Sequence, residues 1–122
     1  LKKNIRIINY KTNPFPYLKA SELFILSSKY EGLPNVILEA QTLKKYVIST
    51  DCPTGPREIL LNGKIGSLFE VGDYKNLAKL IIQFKENKKI FKKKSKKAFS
   101  MLSRFDFEKN CEKYLFLVNK YI

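Results

Sequence analysis

Histidine is absent from these 122 residues. That excludes imidazole general bases, imidazole metal ligands and the Ser-His and Cys-His pairs that activate nucleophiles near neutral pH. Cysteine is scarce: Cys52 and Cys111 stand alone, with no C-x-x-C spacing. A disulfide framework is therefore not expected, and a reducing cytoplasm suits the chain. No apolar run approaches the roughly 20 residues that span a bilayer, and no signal peptide is visible. Methionine occurs once, at Met101, and the chain opens on Leu1. The expectation is a piece of a longer protein.

Acidic residues are also few, 11 against 24 Lys and Arg, for a formal charge of +13. Such a charge invites a polyanion: nucleic acid, anionic lipid or a phosphorylated substrate. The excess is local. Residues 85 to 97 hold eight Lys against one Glu and supply +7 of the total. What is abundant is core material, with 44% hydrophobic and 13% aromatic residues, too much for a disordered chain.

Short apolar runs alternate with helical periodicity. Ile5 to Ile8, Leu23 to Leu26 and Tyr46 to Ile48 predict strands, and Ser67 to Val71 a further short one. The prolines Pro14 and Pro16 end the first run, and a helical turn at Tyr17 to Ala20 follows. Pro34 suits the first turn of a helix whose apolar face is Val36, Ile37, Ala40 and Leu43. Pro56 to Leu61 predicts a short helix closed by Asn62-Gly63. Asp73 is an N-cap for a helix burying Leu77, Leu80, Ile81 and Phe84. The lysine-rich stretch to Leu102 predicts another helix. Asp106 caps a last one, with Tyr114, Leu115, Leu117, Val118 and Tyr121 available for packing. The pattern means α/β with a small parallel sheet: a donor-binding unit over residues 1–84 and a helical tail, 85–122, packing on it.

Ligands of an open parallel sheet bind beyond the C-terminal ends of its strands. That selects the loops Asn9 to Asn13, Ser27 to Asn35 and Thr50 to Gly55. The second is richest in polar groups and leads into a helix N-terminus, where free N–H groups favour an anion. Gly32 allows close approach of backbone to ligand. Glu31 precedes this helix, and Glu39 interrupts its apolar stretch. By spacing alone both carboxylates read as solvated surface groups; the alternative is a pair of acceptors for sugar and ribose hydroxyls.

The stretch Tyr30-Glu31-Gly32-Leu33-Pro34-Asn35-Val36-Ile37-Leu38-Glu39-Ala40 resembles the E-x7-E signature of retaining glycosyltransferases of family four (glycosyl transferases group 1), which have the GT-B fold. The flanks match as well: Ala20 to Ser28 before it, Val47 to Leu60 after it, then Asn62 to Gly66 and Val71-Gly72-Asp73. Several linked motifs in order carry more weight than E-x7-E alone. The resemblance implies a partial Rossmann-like sheet, the C-terminal domain of such an enzyme, with the N-terminal domain and its acceptor site missing. Glu31 would face the donor sugar near its anomeric carbon as the catalytic-site carboxylate. Gly32, Leu33, Pro34 and Asn35 would offer backbone groups to sugar and diphosphate. Glu39 would bind the ribose, and Tyr10 and Lys11 would lie near the base. The donor would be a nucleotide sugar, a uridine diphosphate sugar by preference, with no cofactor or bound metal. A hexose or N-acetylhexosamine would pass to a glycan or lipid-linked acceptor in bacterial surface polysaccharide synthesis. The chain alone is expected to be inactive.

Three positions depart from the family pattern: Asn9 stands where Gly is common, and Lys44 and Tyr46 replace a common Gly and Pro. Arg57 and Glu58 read either as a local ion pair or as support for the site. The lysine run reads as a solvated face or as a peripheral contact with the inner, anionic face of the cytoplasmic membrane. Two other functions stay open: a nucleic-acid-binding module, which the separation of aromatics from the basic run opposes, and a non-catalytic remnant. Nucleic acid is not the expected partner.

Overall fold

Tyr46–Thr50 is buried along its whole length, and the rest of the chain is arranged around it. In the computed structural model, which describes residues 2–122, this segment is the central strand of a three-stranded parallel sheet. The strands are β1 (Leu23–Leu26), β2 (Tyr46–Thr50) and β3 (Ser67–Phe69), ordered β1-β2-β3. Leu23 pairs with Tyr46 and Ile48 with Ser67. Helices α1 (Phe15–Ala20), α2 (Asn35–Thr42), α3 (Pro56–Ile59), α4 (Tyr74–Glu86), α5 (Lys88–Ser100) and α6 (Phe107–Tyr121) complete the described chain with short 3-10 turns.

Side chains of a strand alternate between faces, so β2 feeds two cores. Val47 packs with Ile37 and Ala40 of α2 and Ile59 and Leu60 around α3. Tyr46 and Ile48, with Phe69 of β3, meet Leu77, Leu80 and Phe84 of α4 and Phe91 of α5. The Tyr46 ring stands edge-on to Phe91 at 4.6 Å and stacks on Phe84 at 5.9 Å. Its hydroxyl shares a 2.9 Å hydrogen bond with Ser67. Residues 1–84 and 85–122 share both cores, Phe105 packing on the first and Phe91 of α5 on the second. Ile81 of α4 faces largely outward.

The α2 terminus shows what Lys44 does in place of glycine. Lys44 is left-handed at φ 55°. Its N–H donates to Gln41 O at 2.9 Å, and Lys45 N–H donates to Ala40 O at 2.9 Å. These are the two bonds of a Schellman cap, which glycine forms with less strain. Lys44→Gly is expected to raise stability by up to about 1 kcal/mol, read as a higher denaturant midpoint at unchanged slope. Lys45 is a different case. Its Nζ donates to Lys19 O and Ser21 O, both at 2.7 Å, and ties the end of α1 to the sheet. Asp73 caps α4 through the Asn76 amide at 2.9 Å, and Asp106 caps α6 through the Lys109 amide at 3.0 Å.

Two sequence expectations are corrected. Ile5 to Ile8 is not a strand; Ile7 is 89% exposed. An apolar run becomes a strand only where a neighbour accepts its ladder, and among the described residues the outer edge of β1 is unpaired. Asn9, which follows it, is not left-handed. The tail also divides: α5 packs on the sheet, whereas Tyr114, Leu115, Leu117, Val118 and Tyr121 of α6 remain exposed. Apolar periodicity identifies a face that can be buried and does not identify the surface that buries it.

Candidate functional site

The three strands end together, and the loops leaving them form one rim. Ser27 to Pro34 leaves β1 and Asp51 to Gly55 leaves β2. Thr50, the last residue of β2, donates its hydroxyl to Ser28 O at 2.6 Å. Thr54 donates its hydroxyl to Glu31 O. Gly55, at φ 86°, lies so close that a Cβ there would sit 2.2 Å from Gly32 O and 2.4 Å from Pro34 Cδ. The second loop is therefore a brace for the first. The two hydroxyls hold backbone carbonyls of the Ser28 to Pro34 segment, and Gly55 packs on the Gly32 carbonyl and the Pro34 ring, so the Glu31 side chain is left unengaged.

Gly32 itself is open: a Cβ there would meet nothing within 4 Å. Its φ is not in the left-handed region, so the backbone conformation does not require glycine. Pro34 is buried and precedes α2 in extended conformation, so it acts as the cap position and not the first helical residue. Its carbonyl accepts the Ile37 amide at 3.0 Å. Asn35 and Glu39, four residues apart in α2, share one helix face. Ile37, Ala40 and Gln41 are buried on the opposite side. Glu31 and Glu39 are both half-buried. Among the described residues, neither carboxylate takes part in a hydrogen bond or ion pair.

Glu31, Gly32, Leu33, Pro34, Asn35 and Glu39 thus form one continuous structure at the strand ends. Tyr10 and Lys11 do not belong to it in the same way. They sit on an exposed segment that no strand leads into, and no side-chain hydrogen bond ties them to the rim. Leu33 is half-exposed beside the rim. A hollow of about 240 Å³ opens at the ends of all three strands, lined by Ser27, Lys29, Thr50, Phe69, Gly72 and Tyr74. Lys29 and Tyr74 were not singled out in the sequence, because 45 positions separate them and only the strand order brings them together. The bracing role of Thr54 and Gly55 was equally silent, although a Gly before a helix-starting Pro was a usable signal.

Arg57 pairs with Asp51, not with its neighbour Glu58, donating from Nε to Oδ1 at 2.9 Å. This bond and the charge of Asp51 raise the Arg57 pKa above its already high value. The pair ties α3 to the loop after β2, so it supports the brace. Arg104 completes the anchorage from behind, donating to Ile59 O at 2.9 Å at the end of α3.

The family described as "Glycosyl transferases group 1" matches residues 1–104. An uncharacterized glycosyltransferase of Methanocaldococcus jannaschii, MJ1059, is 53% identical over 60 residues, which cover 49% of this chain and 15% of that protein. The N-acetylgalactosamine-N,N'-diacetylbacillosaminyl-diphospho-undecaprenol 4-alpha-N-acetylgalactosaminyltransferase of Campylobacter jejuni is 25% identical over 94% of this chain and 32% of its own length. The crystal structure of TarM superposes with a TM-score of 0.85 at 28% identity, covering 98% of this chain and 24% of TarM. The chain therefore spans a third or less of these proteins. A match across the braced Glu31 to Glu39 segment, the three-stranded sheet and α5 shows that the chain belongs to the glycosyl transferases group 1 family.

Proposed function

We propose that this chain is the nucleotide-sugar-binding part of a retaining glycosyltransferase. The supporting observation is the rim itself: a backbone loop fixed by Thr50, Thr54 and Gly55, flanked by the unengaged carboxylates Glu31 and Glu39 at the strand ends. Carboxylates that accept two hydroxyl donors each are suited to the vicinal diols of ribose and hexose. Glu39, on the exposed side of α2, takes the ribose hydroxyls. Glu31 faces the sugar near its anomeric carbon and stabilises positive charge that develops there as the bond to phosphate breaks. The amides of Asn35 and Val36, which begin α2, are free to face the diphosphate.

The donor is a uridine diphosphate sugar carrying a hexose or N-acetylhexosamine, held without a metal ion. The Campylobacter relative is named for an N-acetylgalactosamine transfer onto a diphospho-undecaprenol-linked sugar. A glycan or lipid-linked acceptor is in keeping with that name, and a role in bacterial surface polysaccharide synthesis with the capsular polysaccharide biosynthesis glycosyltransferase CapM of Staphylococcus aureus, 33% identical over 64% of this chain and 20% of its own length. The remaining diphosphate contacts come from earlier strands of this same domain and the acceptor site from a separate N-terminal domain, so this chain alone transfers no sugar. The work is done in the cytoplasm, where nucleotide sugars are held.

The test is calorimetric titration of a uridine diphosphate hexose into the whole protein that carries this chain, with Glu39→Ala beside it. Removing a carboxylate that accepts two charge-assisted hydrogen bonds should weaken binding by about 100-fold. Equal affinity in both proteins would remove Glu39 from the site, and no binding in either would remove the donor-site reading.

A further inference from the structure

We infer that the lysine face of α5 is a docking surface for an anionic phospholipid bilayer. The fold decides how the lysines are displayed. Phe91, Ser95 and Ala98 turn inward, and Lys94 lies half-buried with its Nζ 5.7 Å from the Phe91 ring. The remaining lysines of α5 project outward, and α5 carries no acidic residue. Ile90 stands exposed among them. The face continues around a hollow of about 390 Å³ under α5, where Lys44, Lys45, Lys88 and Lys92 surround a floor formed by Tyr46 and Phe84. Glu22, paired with Lys88 at 2.7 Å, is the acidic residue of that hollow.

Charge of one sign on a convex helix, with an aliphatic side chain among the lysines, suits a headgroup layer. A single-stranded nucleic acid would need aromatic faces for its bases. The aromatics here are elsewhere engaged: Tyr46, Phe84 and Phe91 pack against one another, and Lys44 covers Phe99 at 4.7 Å. The hollow opens at the N-terminal ends of β1 and β2, opposite the rim of Glu31 and Glu39. A bilayer on this surface leaves the rim facing solution. The inference is independent of what the rim binds.

The experiment is co-sedimentation of the full chain with phosphatidylcholine vesicles, with and without phosphatidylglycerol. Binding to the anionic vesicles alone is expected, lost at ~1 M salt, where the screening length falls to roughly 3 Å. The triple variant Lys89→Glu, Lys93→Glu, Lys96→Glu should bind about 100-fold more weakly, at roughly fivefold per lysine. Lys75→Glu, Lys79→Glu, Lys113→Glu makes the same change of net charge elsewhere and should bind nearly as the parent does. Circular dichroism checks that both variants are folded. Equal losses in the two triple variants would show net charge and not this surface. Binding to uncharged vesicles would point to the apolar face of α6. Displacement from the anionic vesicles by a single-stranded oligonucleotide at lower charge concentration would assign the face to nucleic acid. Each of these results overturns the proposal.

Discussion

Gly55→Ala is expected to destabilise the protein by about 3 kcal/mol, of which roughly 1–2 reflects the left-handed backbone and the rest a collision with neighbouring backbone. The collision is with the Gly32 carbonyl and the Pro34 ring, and neither can swing aside as a flexible side chain would. Gly32→Ala, on the facing loop, should behave in the opposite way. Its Cβ meets open space, so the melting temperature should stay within a few degrees of the parent or rise slightly through reduced chain entropy. Under the proposed donor-site reading, nucleotide-sugar affinity should nevertheless fall, because the added methyl would occupy the space proposed for the donor. Thermal denaturation and donor titration on the two variants separate the roles. If Gly55→Ala melts like the parent, the loop after β2 is no brace. If Gly32→Ala keeps its affinity, the open space beside Gly32 is not where the donor lies.

Tyr46→Ala should cost about 4 kcal/mol, the range for deleting a large buried aromatic side chain. The ring joins β2 to α4 and α5 through Phe84 and Phe91. Its loss also frees a helix whose crowded lysines repel one another, so the variant should regain part of its stability as salt is added. Tyr46→Phe keeps the ring and removes the hydroxyl bonded to Ser67, a loss of about 1 kcal/mol. The two also differ at alkaline pH. Burial raises the Tyr46 pKa above its ordinary value of 10.0, and the Ser67 hydrogen bond offsets this only in part. The neutral phenol is thus favoured by folding. Its contribution is complete below pH ~10 and is lost as pH rises through the higher folded value. Denaturant melts between neutral pH and pH ~11 should show a steeper loss for the parent than for Tyr46→Phe. Parallel losses would mean that the phenol is not protected.

Much of the architecture was legible without coordinates because its signals are local. Short uniformly apolar runs at Leu23 to Leu26 and Tyr46 to Ile48 suited parallel strands, and both are; the central β2 is buried throughout, whereas the edge strand β1 is only partly buried. Asp73 and Asp106 marked two helix starts by hydrogen bonds spanning three residues. The Glu31 to Ala40 segment was legible because its elements lie side by side in the chain. Ile5 to Ile8 misled for a physical reason: a strand is half of a pair, and its composition does not say whether the other half is present. The α6 face misled likewise, since its pattern specifies burial without a partner.

The sequence by itself determined the parallel α/β class, the lysine-rich helix, the caps and the pairing of a carboxylate-bearing loop with a helix start, all within a dozen or so residues of chain. Tertiary structure decided the rest. It placed Thr50, Thr54 and Gly55 behind the Glu31 loop, across 22 and 23 positions for the two hydroxyls. It matched Arg57 to Asp51 in preference to Glu58, and it turned Phe91 inward so that the lysines of α5 face out. Such contacts depend on strand order and on which face each strand presents. Those are set by the packing of the whole sheet, so no single position in the chain names its partner.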